Sequence, residues 1–317
     1  MIKSFANNQS YIVILIPVFV FLHMLLDHYF PTFSMLAIGQ ENLWNIDFGS
    51  IDPLLSKTAA FIFICINALL LNFVFNTLEF YDKFIYLPSV LYVLIVFLFP
   101  ISLRFGEDLL GHFFFILSFY HLLSLRQNDD ARNNTFLSGL FLGAAATFLP
   151  VYSSFIFIIW FGVFTIRPFV LREYLLPLVA MAFPFLWVIL VNPFFLDEFF
   201  IFDSMLDFSR YGDFVIFLPH IAIVLLTLLA NKKILERRLK SSIRYKRIMA
   251  ITIFTLLFSV ALSVAIFILF DSYFYFTTAV VILPFILPYA YLNVKHKWLP
   301  NILFYALIIL NVVKFLL

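Results

Sequence analysis

The chain has 317 residues, of which 64% are hydrophobic and only 12% charged, and its mean hydropathy is +1.06. A water-soluble surface needs about a quarter of the residues charged, so a soluble globular protein is excluded and length converts into helices, at about twenty apolar residues per bilayer crossing. The net charge of +2 indicates no partner until each charge is assigned to a side of the membrane, and the lone Cys65 excludes an internal disulfide framework or thiolate metal site.

Apolar stretches lie at about 11-29, 58-76, 84-103, 109-125, 135-149, 151-166, 174-192, 214-230, 248-270, 276-293 and 299-317. They predict an all-α, polytopic transmembrane helical bundle of about 10-11 helices, a single domain over 1-317. The first stretch is apolar from Tyr11 to Leu26 and then runs into Asp27-His28-Tyr29-Phe30-Pro31 and not into a small-x-small cleavage site, so it reads as a retained helix. Thr135 to Ile166 is too long for one ordinary crossing and short for two. With the amino terminus inside, two crossings place all but four of the 20 Lys and Arg residues on the cytoplasmic side, the exceptions being Lys57, Arg104, Arg210 and Lys314. A single crossing would put the later basic segment outside, against the positive-inside tendency. The stretch is therefore expected to be a broken hairpin, interrupted at Pro150, whose ring removes a backbone hydrogen bond.

The same assignment puts 12 of the 18 acids on the outer face: Asp27, Glu41, Asp47, Asp52, Glu107, Asp108, Asp197, Glu198, Asp203, Asp207, Asp213 and Asp271. The plain cause is that acids are nearly indifferent to translocation while bases resist it. Two long outer loops, 30-57 and 193-213, mix aromatics with carboxylates, which suits either an interfacial cover over helix ends or a site where a lipid-borne substrate presents its head. A carboxylate at such a site can act as general base toward a hydroxyl, or hold a divalent cation (Mg or Mn) beside a phosphate. The candidates are Asp27, Glu41, Asp47 and Asp52, with Lys57, Arg104 and Arg210 as phosphate-binding cations. For Arg104 the alternative is an ion pair with the nearby Glu107 and Asp108.

Of the six histidines, His23, His112, His121 and His220 fall inside apolar stretches. Buried imidazoles could ligate a non-haem iron. No pair stands at the i, i+3 or i+4 spacing that puts two ligands on one helix face, so neutral histidines bonded to helix neighbours are expected. The segment Lys232 to Arg247 carries eight cations and one acid, and Ile234, Leu235, Leu239 and Ile243 recur near helical spacing. It reads as a cytoplasmic basic loop able to form an amphipathic helix on anionic lipids of the inner leaflet. No nucleic acid is implied by so short a tethered stretch; a cytosolic protein partner is compatible with it. There is no Walker loop, dinucleotide turn, His-Glu-x-x-His or nucleophile elbow. Gly139-x-x-x-Gly143 marks close helix packing.

The succession Leu71-Asn72, Leu87-Pro88 to Tyr92, His112 to Leu125, Phe136 to Gly143 with Pro150, and Arg172-Glu173-Tyr174 resembles a family of Gram-negative bacterial inner-membrane proteins. The same helix order is similar to the amino-terminal module of the GT-C class of polyprenyl-phosphate-sugar-dependent glycosyltransferases. That resemblance covers residues 1-192, leaving 193-317 as additional helices with the basic loop 232-247. It implies sugar transfer from a polyprenyl phosphate donor on the periplasmic side, with one of Asp27, Glu41, Asp47 or Asp52 as the acidic residue of the first outer loop. The class has an early acidic pair in that loop and a large periplasmic domain, neither of which is evident here. The competing expectation is a non-enzymatic scaffold or assembly partner of an envelope machine. Third come a carrier and a membrane carotenoid oxygenase, whose His-Gly pair is not matched by His23-Met24 or His28-Tyr29.

Overall fold

The computed structural model describes residues 11–29, 42–44, 46–98, 104–126, 130–192, 213–270, 277–292 and 298–313. In lipid every backbone polar group must be satisfied within the protein, and the apolar stretches do this as helices: α1 (Tyr11–Tyr29), α2 (Pro53–Thr77), α3 (Leu87–Val96), α4 (Glu107–Leu123), α5 (Arg132–Phe148), α6 (Ile156–Ile166), α7 (Leu171–Val191), α8 (Asp213–Leu239), α9 (Ile243–Phe270), α10 (Thr277–Ile286), α11 (Pro288–Tyr291) and α12 (Trp298–Val313). Eleven of these have ten residues or more, and no strand occurs among the described residues. The protein is an all-α helical bundle. Among the described residues three helices, Pro53–Thr77, Leu171–Val191 and Ile243–Ile266, are long and apolar enough to cross a membrane, and several shorter apolar helices accompany them.

Local chemistry sets the boundaries. α2 starts where Asp52 caps it, its carboxylate accepting from Leu54 N at 2.9 Å and Leu55 N at 3.2 Å, with Pro53 in the first turn. It stops at Glu79, whose φ of 57° is the left-handed geometry that usually ends helices on glycine. α5 stops at Leu149, which is extended, and Pro150–Phe155 form a 3-10 segment before α6. The break therefore falls at Pro150, as expected.

Tertiary bonds show that α5 and α6 form a hairpin. The start of α5 follows the end of α4, and Arg167, just past α6, donates from Nη1 to Arg126 O at 2.9 Å, just past α4. Arg167 Nε also pairs with Glu173 of α7 at 3.0 Å, and Arg247 of α9 donates to Ile166 O at 2.9 Å. These residues gather at one end of the bundle. At the other end, Leu43 N donates to Thr147 O (3.2 Å), Asn192 donates to Leu43 O (3.3 Å), and Lys57 pairs with Asp27. Consecutive helices thus alternate between a basic end and an acidic end.

The basic segment differs from expectation. Residues 232–239 continue α8, a turn spans 240–242, and α9 begins at Ile243. It is thus a corner between two long helices and not one amphipathic helix. Of its four apolar positions only Ile234 is buried; Leu235, Leu239 and Ile243 are exposed.

Packing follows the small residues. A Cβ on Gly139 would lie 2.3 Å from Pro177 O, and one on Gly143 2.5 Å from Met181 O, so α5 and α7 touch backbone to backbone, as the Gly-x-x-x-Gly spacing predicts. Ser118 of α4 and Ser138 of α5 exchange hydroxyl-to-carbonyl hydrogen bonds of 2.8 and 3.0 Å. Phe75, Phe80, Phe119 and Phe285 join α2, α4 and α10 through rings 5.1 to 6.4 Å apart. Outward faces remain apolar: α7 buries Glu173, Pro177, Ala180 and Val188 but exposes Val179, Phe183, Leu186, Trp187 and Leu190. Such a surface calls for lipid as its solvent.

Candidate functional site at the acidic end

Four segments meet at the acidic end: the close of α1, residues 42–52, the opening of α2 and the opening of α4. The predicted carboxylates take different parts there. Asp27 is buried and holds Lys57 Nζ at 2.7 Å, so one candidate base and one candidate phosphate-binding cation neutralise each other. Asp47 caps the short 3-10 turn Phe48–Ser50 through Gly49 N at 2.9 Å. Asp52 caps α2 as described. Glu41 and Arg210 lie outside the described residues. Arg104 stands three residues ahead of α4, half-buried.

Two further acids form the centre of the site. Glu107 and Asp108 open α4, where the positive end of the helix dipole favours carboxylates, and both are buried. Asn42 organises the chain above them. Its Oδ1 accepts from Trp44 N and Ile46 N, each at 3.2 Å, while Nδ2 donates to Ile46 O at 2.7 Å and to Glu107 Oε1 at 3.2 Å. Glu107 lies ahead of the apolar stretch that begins at Leu109. Burial pushes its carboxyl up to about 7; the backbone and Asn42 hydrogen bonds work against this, and the negative charges of Asp108 and Asp47 add to it. A carboxyl in that range exchanges its proton near neutrality.

Beneath the two acids a column of polar groups enters the bundle. Asn67 of α2 donates to Leu109 O at 2.9 Å, and Tyr92 Oη of α3 lies 3.1 Å from His112 Nδ1 of α4. Tyr152, fully buried, stacks on Phe115 with ring centroids 4.8 Å apart and lies within electrostatic reach of Asp108 and Tyr92. The Asn67 Oδ1 and Tyr152 Oη atoms are buried with no hydrogen-bond partner. Buried polar atoms in apolar surroundings cost free energy unless bonded, so this column stands apart from the apolar packing around it.

The histidines engage their neighbours, His23 also stacking on Phe19 of its own helix. Further partners come from other helices: His112 meets Tyr92, His121 Nδ1 meets Asn134 Oδ1 of α5 at 3.4 Å, and His23 stacks on Phe97 at 4.0 Å. Helix spacing cannot reveal such partners. Among the described residues no group of three His, Cys, Asp or Glu side chains is arranged to hold a metal ion. The side chain of His220 is outside the described set.

Glu107 and Asp108 could have been singled out as adjacent acids at a predicted helix start. Asn42, Asn67, Tyr92 and Tyr152 carry no spacing signal, since they come from four separate segments. No protein-family model matches the chain, and no curated protein or solved structure matches it.

Proposed function

We propose that the protein is a multi-pass protein of the bacterial inner membrane, amino terminus in the cytoplasm, that transfers a sugar from a polyprenyl phosphate donor at its acidic, periplasmic end. The orientation rests on the charge asymmetry of the sequence, and the sugar-transfer reading on the resemblance of residues 1-192 to the GT-C module.

The observation that carries the chemistry is Glu107: a buried carboxyl oriented by Asn42, beside Asp108, and poised to exchange a proton near neutral pH. In the reaction Glu107 takes the proton of an acceptor hydroxyl as its oxygen bonds to the sugar's anomeric carbon. The bond from that carbon to the phosphate oxygen breaks, its electron pair leaving with polyprenyl phosphate. Arg104 would offset the charge released on the phosphate. The role of base thus moves from Asp27, Asp47 and Asp52 to Glu107.

A second reading is favoured by the engagement of Asp27, Asp47 and Asp52 in an ion pair and two helix caps: a non-enzymatic envelope scaffold whose acids serve structure. Deleting the gene and profiling lipid-linked sugars and envelope glycans by mass spectrometry separates the two. Transfer predicts accumulation of a donor and loss of a product, restored by the wild-type gene but not by Glu107→Gln. An unchanged profile leaves the scaffold.

A further inference from the structure

At the basic end, opposite the site above, the turn after α2 and the α8–α9 corner enclose a cleft of about 820 Å³, its wall completed by Tyr289 and Leu292. Arg237 is at its centre. Its guanidinium is held among three tyrosine rings, with centroids 4.7 Å (Tyr81), 5.1 Å (Tyr245) and 5.9 Å (Tyr289) from Cζ. Nη2 bonds Asp82 at 2.7 Å, whereas Nη1 has no hydrogen-bond partner. Tyr245, 8% exposed, has its hydroxyl within hydrogen-bond reach of Tyr289. Lys233, the exposed Lys240, Ser241 and Ser242 line the same space. Ser242, just ahead of α9, borders the cleft, and its hydroxyl accepts from Tyr245 N at 3.3 Å.

We propose that this cleft binds a phosphate-bearing ligand through Arg237 and Lys240, either the headgroup of an anionic lipid or a soluble phosphate ester. The cation is fixed in advance by the tyrosines, so binding orders little. Its present counter-ion is a poor one: the Asp82 side chain is 83% exposed, and Glu236, which holds Lys233, is 54% exposed. Such screened pairs contribute little, and a phosphate offering several acceptor oxygens displaces them. Glu79, in its left-handed conformation, also borders the cleft, as strained residues tend to do at binding sites. On the proposed orientation the cytoplasm supplies the ligand.

The test is titration of the purified full chain in neutral detergent with dioctanoyl phosphatidic acid, glycerol 3-phosphate and, as the phosphate-free control, dioctanoylglycerol, followed calorimetrically. Saturable binding of phosphatidic acid alone identifies a lipid headgroup; comparable binding of glycerol 3-phosphate identifies a soluble ester. Arg237→Gln and Lys240→Gln should each weaken binding, the former by about tenfold or more. Asp82→Asn should tighten it, because it removes the competing carboxylate while the tyrosines still position Arg237. A purely structural Arg237–Asp82 clasp predicts no such gain. Failure of both phosphates to bind overturns the proposal, as does equal binding of dioctanoylglycerol or an affinity that Lys240→Gln and Asp82→Asn leave unchanged.

Discussion

One methyl group separates contact from collision where α5 crosses α7. At Gly139 and Gly143 the opposing atoms are backbone, which cannot rotate away, so alanine at either position should lower stability by roughly 1–3 kcal/mol through overpacking. Gly162 is the control: there the nearest atom is Leu122 Cδ1 at 2.6 Å, the far end of a flexible side chain. Gly162→Ala should come out near neutral, because the helix-propensity gain of about 1 kcal/mol offsets the adjustment. Thermal unfolding in detergent would compare the three. Glu107 gives a second residue-scale prediction. Its carboxyl stands at about 7 in the folded protein against 4.5 unperturbed, so between these values the folded state binds more protons. Stability is therefore greatest below about pH 4.5 as far as this group is concerned and falls as pH rises toward 7. Glu107→Gln should flatten that part of the pH profile of the unfolding midpoint.

Helices were largely legible and their connections partly so. Pro150 announces its own break because a missing N–H is a local property, and the Gly-x-x-x-Gly face announces α5–α7 because small residues on one helix side have no other use. The basic segment departs from one amphipathic helix because its apolar positions do not share one buried face. Charged side chains in fact ride on the last turns of α8, where aromatic residues from the α2–α3 turn and from α11 receive Arg237. Long-range pairing of this kind has no periodicity. The candidate site shows the same limit: Asp47 and Asp52 look like free loop carboxylates until Gly49, Leu54 and Leu55 are seen to donate to them. At this scale the Ser118–Ser138 exchange invites a double-mutant cycle. Ser118→Ala and Ser138→Ala should be non-additive, with coupling of about 0.6 kcal/mol, the usual size for hydroxyl bonds between membrane helices.

Across the whole molecule, charge and direction agree. α2, with 25 residues, extends about 37 Å and so exceeds a hydrocarbon core of about 30 Å, carrying the chain from the Asp27–Lys57 pair to the Asp82–Arg237 pair. The proposed orientation can be read with single cysteines, since Cys65 is the only native one. In a Cys65→Ala background, Ser50→Cys should react with a membrane-impermeant maleimide added to spheroplasts, and Leu239→Cys only in inside-out vesicles. Both positions are exposed. The opposite pattern would reverse the assignment of the two ends, and with it the compartment of each site.

The glycine-lined contact between α5 and α7 also has a consequence in time. Gly143 is made before Met181, and at 5–20 residues per second the roughly 40 residues between them take about 2–8 seconds to synthesise. The same lag separates the arrival of α5 at the membrane from that of α7, and during it α5 stands with its narrow groove unfilled. Either lipid chains or the insertion machinery must cover it until α7 emerges. Pausing the ribosome between these two helices should therefore prolong the period in which the chain is most open to proteolysis.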